Sequence, residues 1–443
     1  MRSRQMTIDL YELTMADSYL RRGKNGQATF ELFVRPPLPN RRFMIAAGID
    51  SALEYLQNLK FSDEELAYLE TLGVSSREFV TYLRDFHFSG DVWAVAEGEL
   101  VFPGEPLLVV RAPRIEAQIV ETLLLNVVNF HTLIASKAAR VRLAAGFDAS
   151  LADFSPRRDH GPEAALLVAY ASYLAGFDGT SNVAAGLHYG IPVIGTMAHA
   201  YVMSFDSELE AFRAFAADHP APVLLIDTYE TLRGAERALL VARELREQGR
   251  SLAGVRIDSG DLPTLTRRVR ALFDDAGFPE VRIFISGDLD EYRIQAFLAA
   301  GGAAQGYGVG TRLGTSYDLP ALGGVYKLVQ DEGGPRFKRS PGKRTLPGRK
   351  QVWRQRGAGY IADELALADE ERRGRPLLRR RMRAGAVSEA AEDLAAVRRR
   401  VLQELRSLPE DLRVIAQEPR PSYPLRLSPE LGGLVARLER TPD

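Results

Sequence analysis

Four short β-branched runs recur between about residue 223 and residue 314: V-L-L-I-D-T, G-V-R-I-D-S-G-D, R-I-F-I-S-G-D and G-Y-G-V-G-T. Amphipathic stretches fill the gaps, among them Gly234 to Gln248 and Thr264 to Gly277. Strand centres roughly 25 to 30 residues apart leave room for one crossover helix each, which is the pattern of βα units with parallel strands. The runs are continuous where a half-exposed strand would alternate, as strands covered on both faces require. G-I-P-V-I-G-T, after Asn182 to Tyr189, is predicted as another strand of the set. The expected fold class is α/β, an irregular parallel α/β barrel. Such a barrel collects the residues just past its strand ends on one rim. Here that rim would gather His199, Asp227, Asp258, Asp261, Asp288 and Gly310.

A chain of 443 residues exceeds what one core usually supports, so more than one lobe is expected. Residues 1–120 hold a helix around Leu10 to Leu20, the extended A-T-F-E-L-F-V-R and the proline-punctuated G-E-L-V-F-P-G-E-P-L-L-V-V-R. These predict an N-terminal α+β sandwich lobe with antiparallel strands. Residues 121–330 are assigned to the barrel, and residues 331–443 to a C-terminal region that packs on and completes the N-terminal lobe. The apolar stretch Ile119 to Ala145 is broken by Glu121, Asn126, His131, Lys137 and Arg140, so it reads as a buried helix rather than a membrane span.

Basic and acidic residues nearly cancel, 57 against 58, so no global field draws the chain onto nucleic acid or an anionic membrane, and neither partner is expected. The blocks A-D-E-E-R-R-G-R and L-R-R-R-M-R lie side by side and are read as a solvated face. Cysteine is absent, which excludes disulfides, thiolate zinc and a cysteine nucleophile, and fits a reducing cytoplasm. The opening M-R-S-R-Q-M-T-I-D-L lacks the apolar core of a signal peptide, so export is not expected.

Between Phe154 and Phe205, F-S-P-R-R-D-H-G, G-F-D-G-T-S-N and G-T-M-A-H-A-Y concentrate polar groups that packing alone does not call for. They point to an anionic ligand. In the first, a rigid turn before the helix Glu163 to Leu174 sets Arg157 or Arg158 where a guanidinium can take a carboxylate or phosphate in bidentate fashion. Arg256 interrupts an apolar strand, where an unpaired cation would be costly, so it is expected to point into the site. S-G-D-L-D at 286–290 and G-V-G-T at 308–311 follow strands and offer unhindered backbone N–H groups to a phosphate. Carboxylates at strand ends serve either as helix N-caps, which Asp261 and Asp290 fit, or as partners for Mg²⁺ and a developing cationic sugar. A histidine after a strand is ordinarily a satisfied polar residue, and only His199, unlike His160 and His188, stands close to the rim.

In order along residues 7 to 350, D-L-Y-E-L-T-M-A, F-E-L-F-V-R, R-R-x-x-G-P, G-F-D-G-T-S-N, G-T-M-A-H-A, L-I-D-T-Y, V-R-I-D-S-G-D-L, G-V-G-T and L-G-G-V-Y-K-L resemble the nicotinate phosphoribosyltransferase family, type II phosphoribosyltransferases. The resemblance implies a cytoplasmic homodimer with active sites at the subunit interface. Its substrates would be nicotinate and phosphoribosyl pyrophosphate, with ATP as co-substrate and Mg²⁺, but no zinc, as cofactor. It implies that His199 is transiently phosphorylated by ATP and that Tyr11 reaches the nicotinate ring from the partner subunit. Arg157 and Arg256 would hold or flank nicotinate over Phe154. Arg158, Ser181, Asn182 and Thr196 complete the expected substrate-binding set. Gly287, Gly308, Gly310 and Thr311 would cradle the 5′-phosphate, joined by Ser259, Gly260 and Asp288. Asp227 and Asp258 would serve the ribose, Mg²⁺ or His199, with Asp258 and Asp288 as the metal-binding pair. The nicotinamide-using relative has an acidic residue where this chain has Ser181, so nicotinate is the expected substrate.

Two other readings stay open on the residues alone. One is a phosphate-binding barrel lyase with Lys327 as Schiff-base lysine. The other is a non-catalytic nucleotide-binding relative.

Overall fold

The computed structural model describes residues 6–73, 75–340, 342–356, 360–415 and 423–440. Residues 1–5, part of the stretch read above for export, lie outside them. The chain divides into two compact units, Lys137–Pro320 and the combination of Met1–Ser136 with Ala321–Asp443.

The Lys137–Pro320 unit is built on a parallel sheet of six strands. Their order is Gly179–Thr180, Ser150–Asp153, Gly306–Val309, Arg282–Ile285, Gly254–Ile257 and Val223–Leu225. Leu151, Val255, Ile257, Ile283, Ile285 and Val309 are fully buried in it, each burial contributing about 1.5–3 kcal/mol against solvent exposure. Among the described residues no ladder joins the two edge strands.

The crossover helices start where capping chemistry starts them. Glu230 accepts from the amides of Leu232 and Arg233 at the head of Thr231–Glu247, and Asp261 accepts from Thr264 N at 3.4 Å at the head of Leu262–Asp275. Both helices begin a little earlier than their apolar periodicity indicates, because the cap and first turn are polar. Ala235, Ala238, Leu239, Ala242 and Leu245 form the buried stripe of the first. Gly234 lies so close to the strand side that a Cβ would collide with the carbonyl of Ile226.

G-I-P-V-I-G-T departs from its predicted strand. Pro192 has no N–H to give a ladder, and the segment makes one parallel bridge, Thr180 to Val193, through Thr180 N to Pro192 O at 3.0 Å and Ile194 N to Thr180 O at 2.9 Å.

The other unit holds a seven-stranded antiparallel sheet drawn from both ends of the chain. Its order is Gly334–Pro335, Gly324–Asp331, Gln27–Val34, Pro106–Pro113, Asp91–Ala94, Arg379–Arg383 and Ala386–Val387. A second sheet of four strands is Arg375–Pro376, Lys350–Arg356, Tyr360–Leu367 and Leu425–Leu427. The apolar stretch around residue 130 forms the helix Glu121–Ala145, whose Thr132 and Ser136 hydroxyls accept from Ala47 N and Ile45 N at 3.1 and 3.0 Å. No helix among the described residues is long and apolar enough to cross a membrane.

The two charged blocks are solvated at Asp369, Glu371, Arg373, Arg379, Arg380 and Arg383, while other members form ion pairs. Arg375 pairs with Glu99 at 2.6 Å, Arg381 with Asp50 at 2.8 Å and Arg372 with Glu364 at 2.8 Å. Opposite charges brought together by the strands spend these arginines within the unit.

Candidate active site

At the carboxyl ends of the central parallel strands lies a cavity of about 770 Å³, within the size range of small-molecule sites. Arg256 organises it. Standing in the Gly254–Ile257 strand, its guanidinium donates to Ser286 Oγ at 2.9 Å, Thr196 Oγ1 at 3.0 Å and Asp258 Oδ1 at 3.0 Å. It also lies 5.5 Å from the Phe154 ring centroid, a cation–π contact. With Met197 O at 3.4 Å as a further acceptor, an arginine in an apolar strand is thus compensated by four acceptors and an aromatic face.

The carboxylates are held in different ways. Asp258 also accepts a short hydrogen bond from the Ser286 hydroxyl. Partial burial opposes its ionisation, but the bonds from Ser286 and Arg256 and the charges of Arg256 and His199 outweigh burial and hold it below the usual carboxylate range. Asp227 is buried, and its Oδ2 accepts from Asp258 N at 2.8 Å and Ser259 Oγ at 2.7 Å, so it fixes the turn that carries both residues. Its other oxygen has no partner among the described residues. His199 opens the short helix His199–Met203, and its Nδ1 meets the Thr228 hydroxyl at 3.1 Å, which orients the ring.

The glycine turns have specific steric reasons. Gly287 has φ 96°, and a Cβ there would run into the carbonyl of Asp258. Asp288 follows at φ 53°, left-handed backbone that aspartate tolerates better than most residues. A Cβ at Gly308 would enter the Phe154 ring, so the ring packs directly on that strand. Gly260 has φ 87°, and Gly310 caps the one-turn helix Thr311–Gly314.

The cavity is lined by Phe154, Arg157, Arg158, Arg256 and Asp258, by Ser259, Gly260, Gly287 and Asp288, and by Gly308, Gly310 and Thr311. His199, Asp227 and Thr196 connect to it through Asp258 and Arg256 without lining it. Ser181 and Asn182 sit apart from the lining: Ser181 N donates to Asp153 O at 2.8 Å, and the Asn182 side chain caps the helix Val183–Tyr189. Tyr11 belongs to the other unit, in the helix Leu10–Arg21, 45% exposed. Lys327 also belongs there, on the Gly324–Asp331 strand of the antiparallel sheet, paired with Glu121 at 3.4 Å.

Four functional groups were missed in the sequence. Ser286 bridges Arg256 and Asp258, Thr228 orients His199, and Asp153, fully buried, accepts from Ser155 Oγ and Thr180 Oγ1 at 2.6 and 2.8 Å to anchor the arginine turn. Arg293 joins the cavity wall. The quoted motifs I-S-G-D and I-D-T-Y contain two of them, and a charged residue closing the L-A-D strand was the signal for Asp153.

Among the described residues no cluster of three or more His, Cys, Asp or Glu could hold a metal by itself. Asp258 and Asp288, both on the cavity wall, fit a different arrangement, in which Mg²⁺ takes one or two carboxylates and fills its octahedron with diphosphate oxygens and water.

A parallel α/β sheet with cations, carboxylates and glycine turns converging at its carboxyl edge places a charged, polar cavity where α/β enzymes build their ligand sites. The family model of the nicotinate phosphoribosyltransferase (NAPRTase) N-terminal domain matches residues 6–129, and that of the NAPRTase family matches residues 149–327. The nicotinate phosphoribosyltransferase pncB2 of Mycobacterium tuberculosis is 45% identical over 432 residues, 97% of this chain and 93% of the relative. The Bacillus subtilis nicotinate phosphoribosyltransferase is 42% identical over 380 residues, 83% of this chain and 77% of the relative. The crystal structure of human nicotinic acid phosphoribosyltransferase superposes with a TM-score of 0.85 at 31% identity, covering 97% of this chain and 99% of that one. The chain belongs to the nicotinate phosphoribosyltransferase family and is an enzyme.

Proposed function

We propose that this enzyme transfers the phosphoribosyl group of phosphoribosyl pyrophosphate to nicotinate, forming nicotinate mononucleotide and pyrophosphate in NAD salvage. The observation that carries the reading is the joining of Arg256, Asp258, Ser286 and Phe154 at one cavity wall. The nicotinate ring nitrogen attacks the anomeric carbon while the bond from that carbon to the diphosphate oxygen breaks. Positive charge grows on the sugar and then resides on the pyridinium nitrogen, and negative charge leaves with pyrophosphate.

Asp258, kept ionised by its surroundings, stabilises the sugar side of that transition state. Phe154 offers the ring a stacking face, and Arg157 and Arg256 offer a substrate carboxylate its counter-charge. The turns at Ser259, Gly260, Gly287, Gly308, Gly310 and Thr311 hold the 5′-phosphate and diphosphate. Mg²⁺, held through Asp258 and Asp288, would neutralise charge on the departing diphosphate.

ATP is the proposed co-substrate. The γ-phosphoryl group would pass to a ring nitrogen of His199, with ADP leaving, and water would later take that group as phosphate. The Thr228 contact occupies Nδ1 and leaves Nε2 as the acceptor. The working form is proposed as a cytoplasmic homodimer in which Tyr11 of one subunit completes the site of the other. The sheet is proposed as most of an irregular barrel, with the Thr180–Val193 bridge continuing it beyond one edge.

The test is incubation with nicotinate, phosphoribosyl pyrophosphate, Mg²⁺ and ATP, following pyrophosphate and ADP together. The native enzyme is expected to release both, and EDTA to stop transfer. His199→Ala is expected to lose ATP stimulation and keep a slower, ATP-independent transfer. Full ATP-stimulated turnover by that variant would defeat the phosphohistidine assignment, and comparable turnover of nicotinamide in competition would defeat the substrate assignment.

A further inference from the structure

The basic block L-R-R-R-M-R has a use that its ion pairs do not exhaust. In the strand Arg379–Arg383, Arg380 pairs with Trp93 and Met382 with Val92, with a register shift between Arg380 and Met382. Neighbours along a strand face opposite ways, so without that bulge Arg380 and Met382 would share a face. The extra residue, Arg381, sends Met382 into the core and leaves Arg380 exposed on the face of Trp93. Bulges re-aim side chains in this way beside functional sites.

Arg380 and Trp93 line a separate cavity of about 340 Å³, together with Arg349, Lys350 and Gln351. Two of these groups are spent: Lys350 Nζ is held by Glu31 at 2.7 Å and by two backbone carbonyls, and Gln351 bonds the backbone of Leu378 through both ends of its amide. The arginines are not. Arg349 lies over the indole of Trp93, its Cζ 4.6 Å from the ring centroid, and its one carboxylate partner, Asp369 at 3.1 Å, is 96% exposed and therefore weakly held. Its Nε and Nη1 make no hydrogen bond among the described residues. Arg380 has no hydrogen-bond or ion-pair partner among them.

Two arginines lining one hollow add like charge that an anion between them would offset, and a guanidinium held over an aromatic ring is pre-organised to take an oxyanion in bidentate fashion. Because Arg349 already covers the indole face, a nucleobase has no stacking surface there. We infer that this cavity is a second anion site, separate from the parallel-sheet cavity, which binds a compact phosphate oxyanion through Arg349 and Arg380.

Calorimetric titration of the full-length enzyme with inorganic phosphate, and in a separate arm with pyrophosphate, tests this. Two classes of site are expected, one of which Arg380→Gln weakens about ten-fold or more, the size of a lost charge-assisted hydrogen bond, while turnover at saturating substrates is unchanged. The arm with the larger loss identifies which oxyanion fits. Arg380 is exposed, so the variant should fold; anomalous density for arsenate between Arg349 and Arg380 in crystals of the unmodified enzyme is the independent readout. Binding unaltered by Arg380→Gln, or arsenate confined to the parallel-sheet cavity, would overturn the site.

Discussion

Arg256 shows how a single residue turns an energetic liability into a site. A cation in a buried strand is tolerable only if its donors are satisfied, and satisfying them pulls Ser286, Asp258 and Thr196 into one constellation. The Gly308–Phe154 contact is equally unforgiving. Gly308→Ala pushes the ring off its seat, with an expected overpacking cost of about 1–3 kcal/mol in denaturant unfolding and a raised KM for nicotinate.

Glu12, fully buried beside Thr122, carries a different signature. Burial pushes its carboxyl up to about 8, against the pull of the Thr122 hydrogen bonds. A raised carboxyl means the folded state holds a proton that the unfolded state releases, so this stabilising contribution is whole below about pH 4.5 and fades as pH climbs through about 8. Glu12→Gln should melt like the native protein at about pH 5 and above it at about pH 9. Equal shifts at both values would show that Glu12 does not titrate as its burial requires.

At the scale of elements, polar residues past strand ends divide by the element that received them: Asp261 and Asp290 take the capping role expected of them, and Asn182, expected to bind substrate, takes it too. Asp261, Asp290 and Asn182 all became helix caps, through Thr264 N, Arg293 N and the amides of Ala184 and Ala185. Asn182→Ala is accordingly expected to cost about 0.5–2 kcal/mol in unfolding. The parallel strands were legible because burial on both faces forces unbroken apolar runs, and the glycine turns because few other residues fit them. Ser286, Thr228 and Asp153 were not, since small hydroxyls and acids at strand ends look alike until tertiary structure selects their partners. G-I-P-V-I-G-T misled because its β-branched content outvoted the missing N–H of Pro192.

For the molecule as a whole, length pointed to more than one lobe, and the chain divides into two compact units. Which distant segments share a sheet was not legible, because strand pairing across 300 residues leaves no local mark. The proposed shared site makes a prediction at this scale. Tyr11→Ala and Arg256→Ala, each expected to be inactive alone, should regain activity on mixing under conditions of subunit exchange, since a mixed dimer holds one intact site. Absence of recovery despite exchange would place Tyr11 outside the partner's site.

The antiparallel sheet sets Gln27–Val34 between Pro106–Pro113 and Gly324–Asp331, so one flank of that strand waits for a segment made almost three hundred residues later. On the ribosome, the segment from Lys137 to Pro320 emerges complete while Gln27–Val34 still lacks Gly324–Asp331 and Asp91–Ala94 still lacks Arg379–Arg383. Order of synthesis and order of folding are therefore partly reversed, and a nascent chain stalled before residue 324 would carry a naked hydrogen-bonding edge, a target for chaperones and for self-association.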